Sequence, residues 1–298
     1  MRSKSKCATI PIVITSILSS INPLFSQNLG KLTASVSGAS AVNNMRWSIA
    51  GDINGEEPNI LSELDYRNNI SIGTSLGLHY EIQKYLKLYA SYTFLNTLSG
   101  EVTDTDYASD NRSEPTYFAK FNNKGGTINT FYVNILSSIY IDKKYIFNIG
   151  THSFIYNQRF RMLSPKDPLL NSSYVYRTRG LGFNISRQIG YYNMIFEPYI
   201  LLSSIRYSSY GTWNLIEDLE QPKSFVHKAR GENISYGLKT NKRIGESLEI
   251  CLNFFHIKER THHGLDKVFF KNRTQYVTRL NGAVMRTNVL EVGLVKNF

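Results

Sequence analysis

The segment Thr127-Ile128-Asn129-Thr130-Phe131-Tyr132-Val133-Asn134-Ile135-Leu136-Ser137-Ser138-Ile139-Tyr140-Ile141 carries two different faces on one backbone. Successive side chains of an extended chain point to opposite sides. Phe131, Val133, Ile135, Ile139 and Ile141 therefore share one face, and Thr130, Tyr132, Asn134, Ser138 and Tyr140 the other. The first face suits contact with lipid, and the second suits a wet or packed lumen.

Working outward, the same pattern recurs along the chain. Alternating segments are expected over residues 31–50, 60–82, 85–102, 127–141, 145–162, 173–189, 194–214, 225–244, 248–269 and 275–298. Tight reversals at Gln83-Lys84, Asp142-Lys143-Lys144, Gly190-Tyr191-Tyr192 and Gly245-Glu246-Ser247 alternate with longer polar connections over residues 51–59, 107–126, 164–172 and 215–223. Sorting short turns to one end and long loops to the other is what a barrel with two different mouths requires, and a soluble sandwich has no reason to do it. The sequence thus predicts an all-β, antiparallel up-and-down transmembrane β-barrel of about ten long strands. Segments of this length exceed the 9 to 11 residues needed to cross a bilayer, so the barrel should project above the membrane on its long-loop side.

Both ends of the chain support an exported barrel. Arg2, Lys4 and Lys6 precede a mostly apolar stretch from Ala8 to Phe25, which reads as a signal peptide over residues 1–26, leaving residues 27–298 as one barrel domain. Removing it changes the formal charge of +11 to 11 − 3 = +8 and leaves Cys251 as the single cysteine, which cannot form an internal disulfide. A basic exported chain fits anionic lipid headgroups or lipopolysaccharide phosphates as partners, and not nucleic acid. The last segment sets Leu290, Val292, Leu294 and terminal Phe298 on one side against Glu291 and Asn297 on the other. Ending on an aromatic in this way resembles the C-terminal signature that the barrel assembly machinery recognises in bacterial outer membranes. Ten strands leave little open lumen once side chains fill it, which disfavours a general porin.

Chemistry-bearing residues cluster near the long-loop end. Asp104 and Asp106 are two apart on extended backbone and so share a side. Their parity matches the lipid-facing residues Leu88, Ala90, Tyr92 and Phe94, so a β-bulge over residues 96–100, with Gly100 a plausible place, is needed to turn them inward. Arg159, Arg161, Arg177 and Arg179 either form a basic patch for lipid phosphate or line the lumen beside acids such as Glu197. His262-His263 with Asp266 offers ligand types for a metal, but neighbouring residues of a strand point apart, and no metal or cofactor is expected. No Gly-rich phosphate loop, serine-triad motif or cysteine metal spacing occurs.

The segments Ser62-Glu63-Leu64-Asp65-Tyr66 and Asp104-Thr105-Asp106-Tyr107, set among ten long strands, resemble the omptin family of outer-membrane endopeptidases. Trp47-Ser48-Ile49-Ala50-Gly51, Pro58-Asn59-Ile60-Leu61-Ser62-Glu63-Leu64 and Pro222-Lys223-Ser224-Phe225-Val226-His227 are closer to an omptin-like group of outer-membrane proteins known from chlamydia relatives and Bacteroidetes. The resemblance implies a cleft in which an Asp-X-Asp pair faces an Asp-X-His pair across an activated water. Asp104 and Asp106 match the first pair. In the second, Asp218 can be matched, but Glu220 stands where the histidine belongs, and a carboxylate of ordinary pKa is a poor general base. His227, after the same loop, could approach Asp218 instead. The resulting expectation is a surface-exposed barrel in the outer membrane of a Gram-negative bacterium, with a cleft that binds a ligand without omptin-type proteolysis. The alternative is an endopeptidase using Asp104, Asp106, Asp218 and either Glu220 or His227.

Overall fold

The computed structural model describes residues 30–83, 85–140 and 145–298. The expected leader, Lys84 and the reversal at Asp142-Lys143-Lys144 lie outside the described residues. The strands are β1 (Lys31–Ile49), β2 (Ser62–Gln83), β3 (Leu86–Ser109), β4 (Ser113–Asn122), β5 (Thr127–Tyr140), β6 (Tyr145–Met162), β7 (Ser172–Tyr191), β8 (Met194–Thr212), β9 (Phe225–Arg243), β10 (Leu248–Thr261), β11 (Gly264–Phe269) and β12 (Gln275–Asn297). All pairings are antiparallel, and they run β1-β2-β3-β5-β6-β7-β8-β9-β10-β12, with β12 pairing back onto β1. Ten strands therefore close a ring, as the alternation predicts, and closure leaves this ring without an edge.

Two details differ from the expectation. Residues 107–126 are not an irregular loop: β3 continues to Ser109, turns through a 3-10 turn at Asp110–Arg112, and β4 returns along it. The segment 248–269 is two strands, because β10 stops before His262-His263 and β11 resumes between β9 and β12.

The outward face divides into two zones. Toward the short-turn end it is apolar: Leu76 and Leu78 on β2, Leu181 and Phe183 on β7, Leu252 and Phe254 on β10, and Leu290, Val292 and Leu294 on β12 are all exposed. On soluble proteins, contiguous apolar surface of this extent is rare. Toward the long loops the same outward positions become charged, with Arg179 on β7, Arg206 on β8, Arg230 on β9, Lys258 and Arg260 on β10 and Arg286 on β12. Among the described residues no helix is long and apolar enough to cross a membrane.

The interior is packed. Within the apolar zone it is polar: Asn148, for example, donates to the Ser186 hydroxyl at 3.0 Å. Likewise, Asn253 donates to Glu291 at 2.8 Å. In the long-loop half the interior is aromatic, and Tyr66, Phe160, Tyr174, Tyr176 and Tyr207 are all at most 2% exposed. This aromatic plug is the floor on which the functional site rests.

Candidate functional site

The inward turn of Asp104 and Asp106 comes from two irregularities in the β2–β3 ladder. Arg67 pairs with Glu101 and Ile70 with Ser99, so Asn68 and Asn69 together oppose Gly100. Ser71 then pairs with Thr97, leaving Leu98 as an extra residue on β3. An extra residue shifts the alternation by one. Below it, Leu95 and Thr97 are buried while Phe94 and Leu98 are exposed; above it, Val102 is buried. Asp104 and Asp106 share the parity of Val102 and line a cleft at the long-loop end.

Both acids sit beyond the apolar zone, and both are held above the ordinary carboxyl range. Asp104 is pushed up to about 7, by burial first and then by the charge of Asp106, with a hydrogen bond from the Thr105 backbone opposing the shift. Asp106 is raised by burial, against a hydrogen bond from the Ser62 side chain. Two neighbouring carboxyls resist ionising together, which adds to the effect of burial on Asp104.

The opposite wall holds a histidine and an acid. His227 on β9 and Asp266 on β11 are direct cross-strand partners. The imidazole Nε2 lies 3.1 Å from Asp266 Oδ1, with both side chains at most 1% exposed. The contact is one of proximity, since neither atom meets hydrogen-bond geometry. Asp266 Oδ2 accepts from the Thr278 hydroxyl at 3.0 Å. The other imidazole nitrogen, Nδ1, is 2.8 Å from the Tyr174 hydroxyl, against which the Tyr207 hydroxyl packs. Trp47 meets the His227 ring edge-on at 4.7 Å, and Phe225 lies 5.0 Å away. Nδ1 is thus hydrogen-bonded, Nε2 faces a carboxylate oxygen without a hydrogen bond, and aromatic rings pack around the imidazole.

Asp218 and Glu220 are elsewhere. In their loop Leu219 is buried toward the cleft while Asp218 and Glu220, on either side of it, are exposed. The loop is fixed through backbone bonds, from Lys271 to the Asp218 carbonyl and from Glu220 to the Phe269 carbonyl, each 2.9 Å. The expected approach of His227 to Asp218 does not occur, because the β9–β11 register gives His227 to Asp266 instead. Sequence reading had grouped Asp266 with His262 and His263. The structure separates them: Asp266 points into the cleft, while both histidines, at the break between β10 and β11, line a recess outside the wall. Among the described residues no group of ligand side chains could hold a metal ion.

The cleft encloses about 570 Å³. Besides the four site residues its lining is largely apolar, including Trp47, Ile49, Phe121, Met162, Trp213 and Phe225, with Asp167 as a further acid. The Trp47 indole N–H and the Tyr66 hydroxyl are buried with no hydrogen-bond partner among the described residues. Arg159, Arg177 and Arg179 alternate with buried neighbours and so point outward, and Arg161 bonds Asn171 at 2.7 Å. Glu197 instead accepts from Ser186 at 2.6 Å and Gln188 at 3.1 Å, so the lumen pairing with these arginines is not formed.

No family model matches the chain. The curated proteins yield no match either. Among solved structures, the outer membrane protease OmpT from Escherichia coli superposes with a TM-score of 0.68 at 13% identity, over 93% of this chain and 99% of that one. The translocator domain of the autotransporter NalP from Neisseria meningitidis gives a TM-score of 0.41 at 9% identity, over 97% of this chain and 96% of that one. OprG from Pseudomonas aeruginosa gives 0.33 at 12% identity, over 91% and 96%. The fold is that of the outer-membrane β-barrels.

Proposed function

We propose that this chain is an outer-membrane barrel, long loops outward, whose cleft binds a ligand and does not hydrolyse peptides in the omptin manner. The observation that carries this reading is the enclosure of His227. A general base must reach the proton it takes. Here one ring nitrogen faces Tyr174, the other faces Asp266, and the ring is fully buried. Asp218 and Glu220 offer no substitute, being exposed outside the cleft. Apolar walls with the acid pair at one side suit a ligand with an apolar body and a cationic group. The outward arginines of β7 to β9, just past the apolar zone, support anionic headgroups such as lipopolysaccharide phosphate as neighbours. Terminal Phe298 supports delivery by the barrel assembly machinery.

A second reading, an outer-membrane endopeptidase, is favoured by one fact: Asp104, Asp106, His227 and Asp266 line the same cleft. One experiment separates the two. The refolded protein is incubated in lipopolysaccharide with a quenched dibasic peptide while tryptophan emission is followed, since both tryptophans of the chain, Trp47 and Trp213, line the cleft. Saturable quenching without cleavage is expected. Cleavage that disappears in both Asp104→Ala and His227→Ala would replace the binding reading with the enzymatic one.

A further inference from the structure

A second recess, of about 460 Å³, lies on the outside of the wall. Its origin is a pair of breaks in the sheet. Ser48 pairs with Gly282 and Ile49 with Leu280, which leaves Asn281 as an extra residue on β12. Gly282 has φ +141, a backbone conformation that side chains rarely adopt, so this corner stays open. Beside it β10 ends, and the two residues before β11, His262 and His263, both turn onto the recess.

Three arginines and two histidines stand around this opening. Arg46 on β1 and Arg260 on β10 are both direct partners of Val284 on β12, so their backbones lie two strand spacings apart, roughly 10 Å, on the same outward row. Arg112, from the turn after β3, reaches the same place. Its Nη2 is 2.7 Å from Glu63 Oε2, and Arg46 Nε is 3.9 Å from that same oxygen. Asp65, opposite Arg46, is held by Arg67 at 2.6 Å, and Glu232 stands opposite Arg260 on β9, but no carboxylate lines the recess itself. Among the described residues no ion pair engages Arg260, His262 or His263. Guanidinium and imidazole N–H groups around a recess that no carboxylate lines are the chemistry of oxyanion recognition.

The level of the recess matters as well. Descending β12 from Val284, the outward positions are Arg286, Asn288 and then the apolar Leu290 and Val292. The recess therefore stands clear of the apolar zone and open to water, and its volume exceeds what a single phosphate fills. We infer that the recess bounded by Arg46, Arg112, Arg260, His262 and His263 binds a phosphate-class oxyanion larger than orthophosphate, borne by a soluble phosphorylated molecule or by a lipid headgroup. This site lies across the wall from the cleft, with Trp47 bordering both, and does not depend on how the cleft functions.

Inorganic pyrophosphate is the probe. Titration calorimetry on the folded protein in a zwitterionic detergent at low salt should show saturable binding. Arg260→Ala and Arg46→Ala should each raise the Kd at least tenfold. Arg206→Ala, which removes an outward arginine from β8, should leave it unchanged, and heat-modifiable migration confirms that each variant is folded. The inference is overturned if no saturable binding occurs up to millimolar pyrophosphate, if Arg260→Ala binds as the native chain does, or if Arg206→Ala loses as much affinity. Nanodiscs distinguish the sources. A higher pyrophosphate Kd in phosphatidylglycerol than in phosphatidylcholine supports the site with the headgroup as ligand; the same Kd in both supports it with a soluble ligand.

Discussion

His227 and Asp266 are joined by the sheet: they are opposite residues of adjacent strands, 3.1 Å apart at their side-chain tips and sealed from solvent. Thr278, opposite Asp266 on its other side, completes the row with a 3.0 Å bond. Asp266→Ala leaves the buried Thr278 hydroxyl without its partner and removes the carboxylate that faces His227. Leaving buried polar groups without partners costs about 1–3 kcal/mol. Urea unfolding in detergent should show a loss of that order for Asp266→Ala and a smaller one for Asp266→Asn. An unchanged midpoint for Asp266→Ala would mean that the pair adds nothing to stability.

Asp104 makes stability depend on pH. Its folded-state pKa of about 7 lies above the ordinary 3.8, so between these values the folded chain holds a proton that the unfolded chain has released. The associated stability is complete below the unfolded value and falls as pH rises to about 7. Asp104→Asn, which cannot ionise, should flatten that part of the profile and leave the variant the more stable protein above neutrality. Midpoints measured from pH 4 to 8 decide this; parallel profiles for the two proteins would refute it.

The same ionisation governs the cleft ligand. A cationic group gains from the acid pair only as the second carboxyl loses its proton, so affinity should climb as pH rises through about 7. Replacing both Asp104 and Asp106 by Asn should lower affinity about tenfold, the loss of one hydrogen bond to a charged group, and abolish the pH dependence. Quenching of Trp47 and Trp213 by a dibasic peptide provides the measurement. Equal affinity at pH 5.5 and pH 8 would argue that the acids do not contact the ligand.

Gly100 holds the acids in place through its lack of a side chain. A Cβ there would lie 2.2 Å from Asn69 Oδ1. That same oxygen accepts from Asn123 at 2.6 Å, while the Asn69 amide nitrogen donates to the Asn43 carbonyl at 2.9 Å. Gly100→Ala should therefore destabilise the barrel by about 1–3 kcal/mol, as overpacking does. It should also weaken cleft binding, because the irregularity that turns Asp104 inward is disturbed. A variant that unfolds and binds as the native chain does would contradict this account.

How much could be read from residues alone differs sharply between the ring and its site. Alternation and turn chemistry are local, so β6, expected over residues 145–162, is found as Tyr145–Met162. The need for an irregularity before Asp104 was also legible, since the parity of Tyr92 and Phe94 demanded one, although the extra residue proved to be Leu98. The β3–β4 hairpin was hidden because its polar sequence, with Pro115 and exposed charges, reads as a loop; above the apolar zone a strand has no lipid face to announce it. His227 and Asp266 are 39 residues apart in sequence, and their pairing depends on the β9–β11 register, which no local signal encodes. Asp218 and Glu220 misled because acids beside a matched motif draw attention, whereas the buried side chain of that loop is Leu219.

Closure of β1 on β12 has a further consequence. The Phe298 amide donates to the Leu32 carbonyl at 2.9 Å, so the end of β12 meets the start of β1 at the short-turn mouth. A peptide linker across that seam would serve as one more tight reversal, and the chain could be reopened within residues 164–171, between β6 and β7, without removing a single ladder bond. The closed ladder makes the order in which the strands are made separable from the arrangement they adopt, and a permuted chain should recover the same heat-resistant folded form.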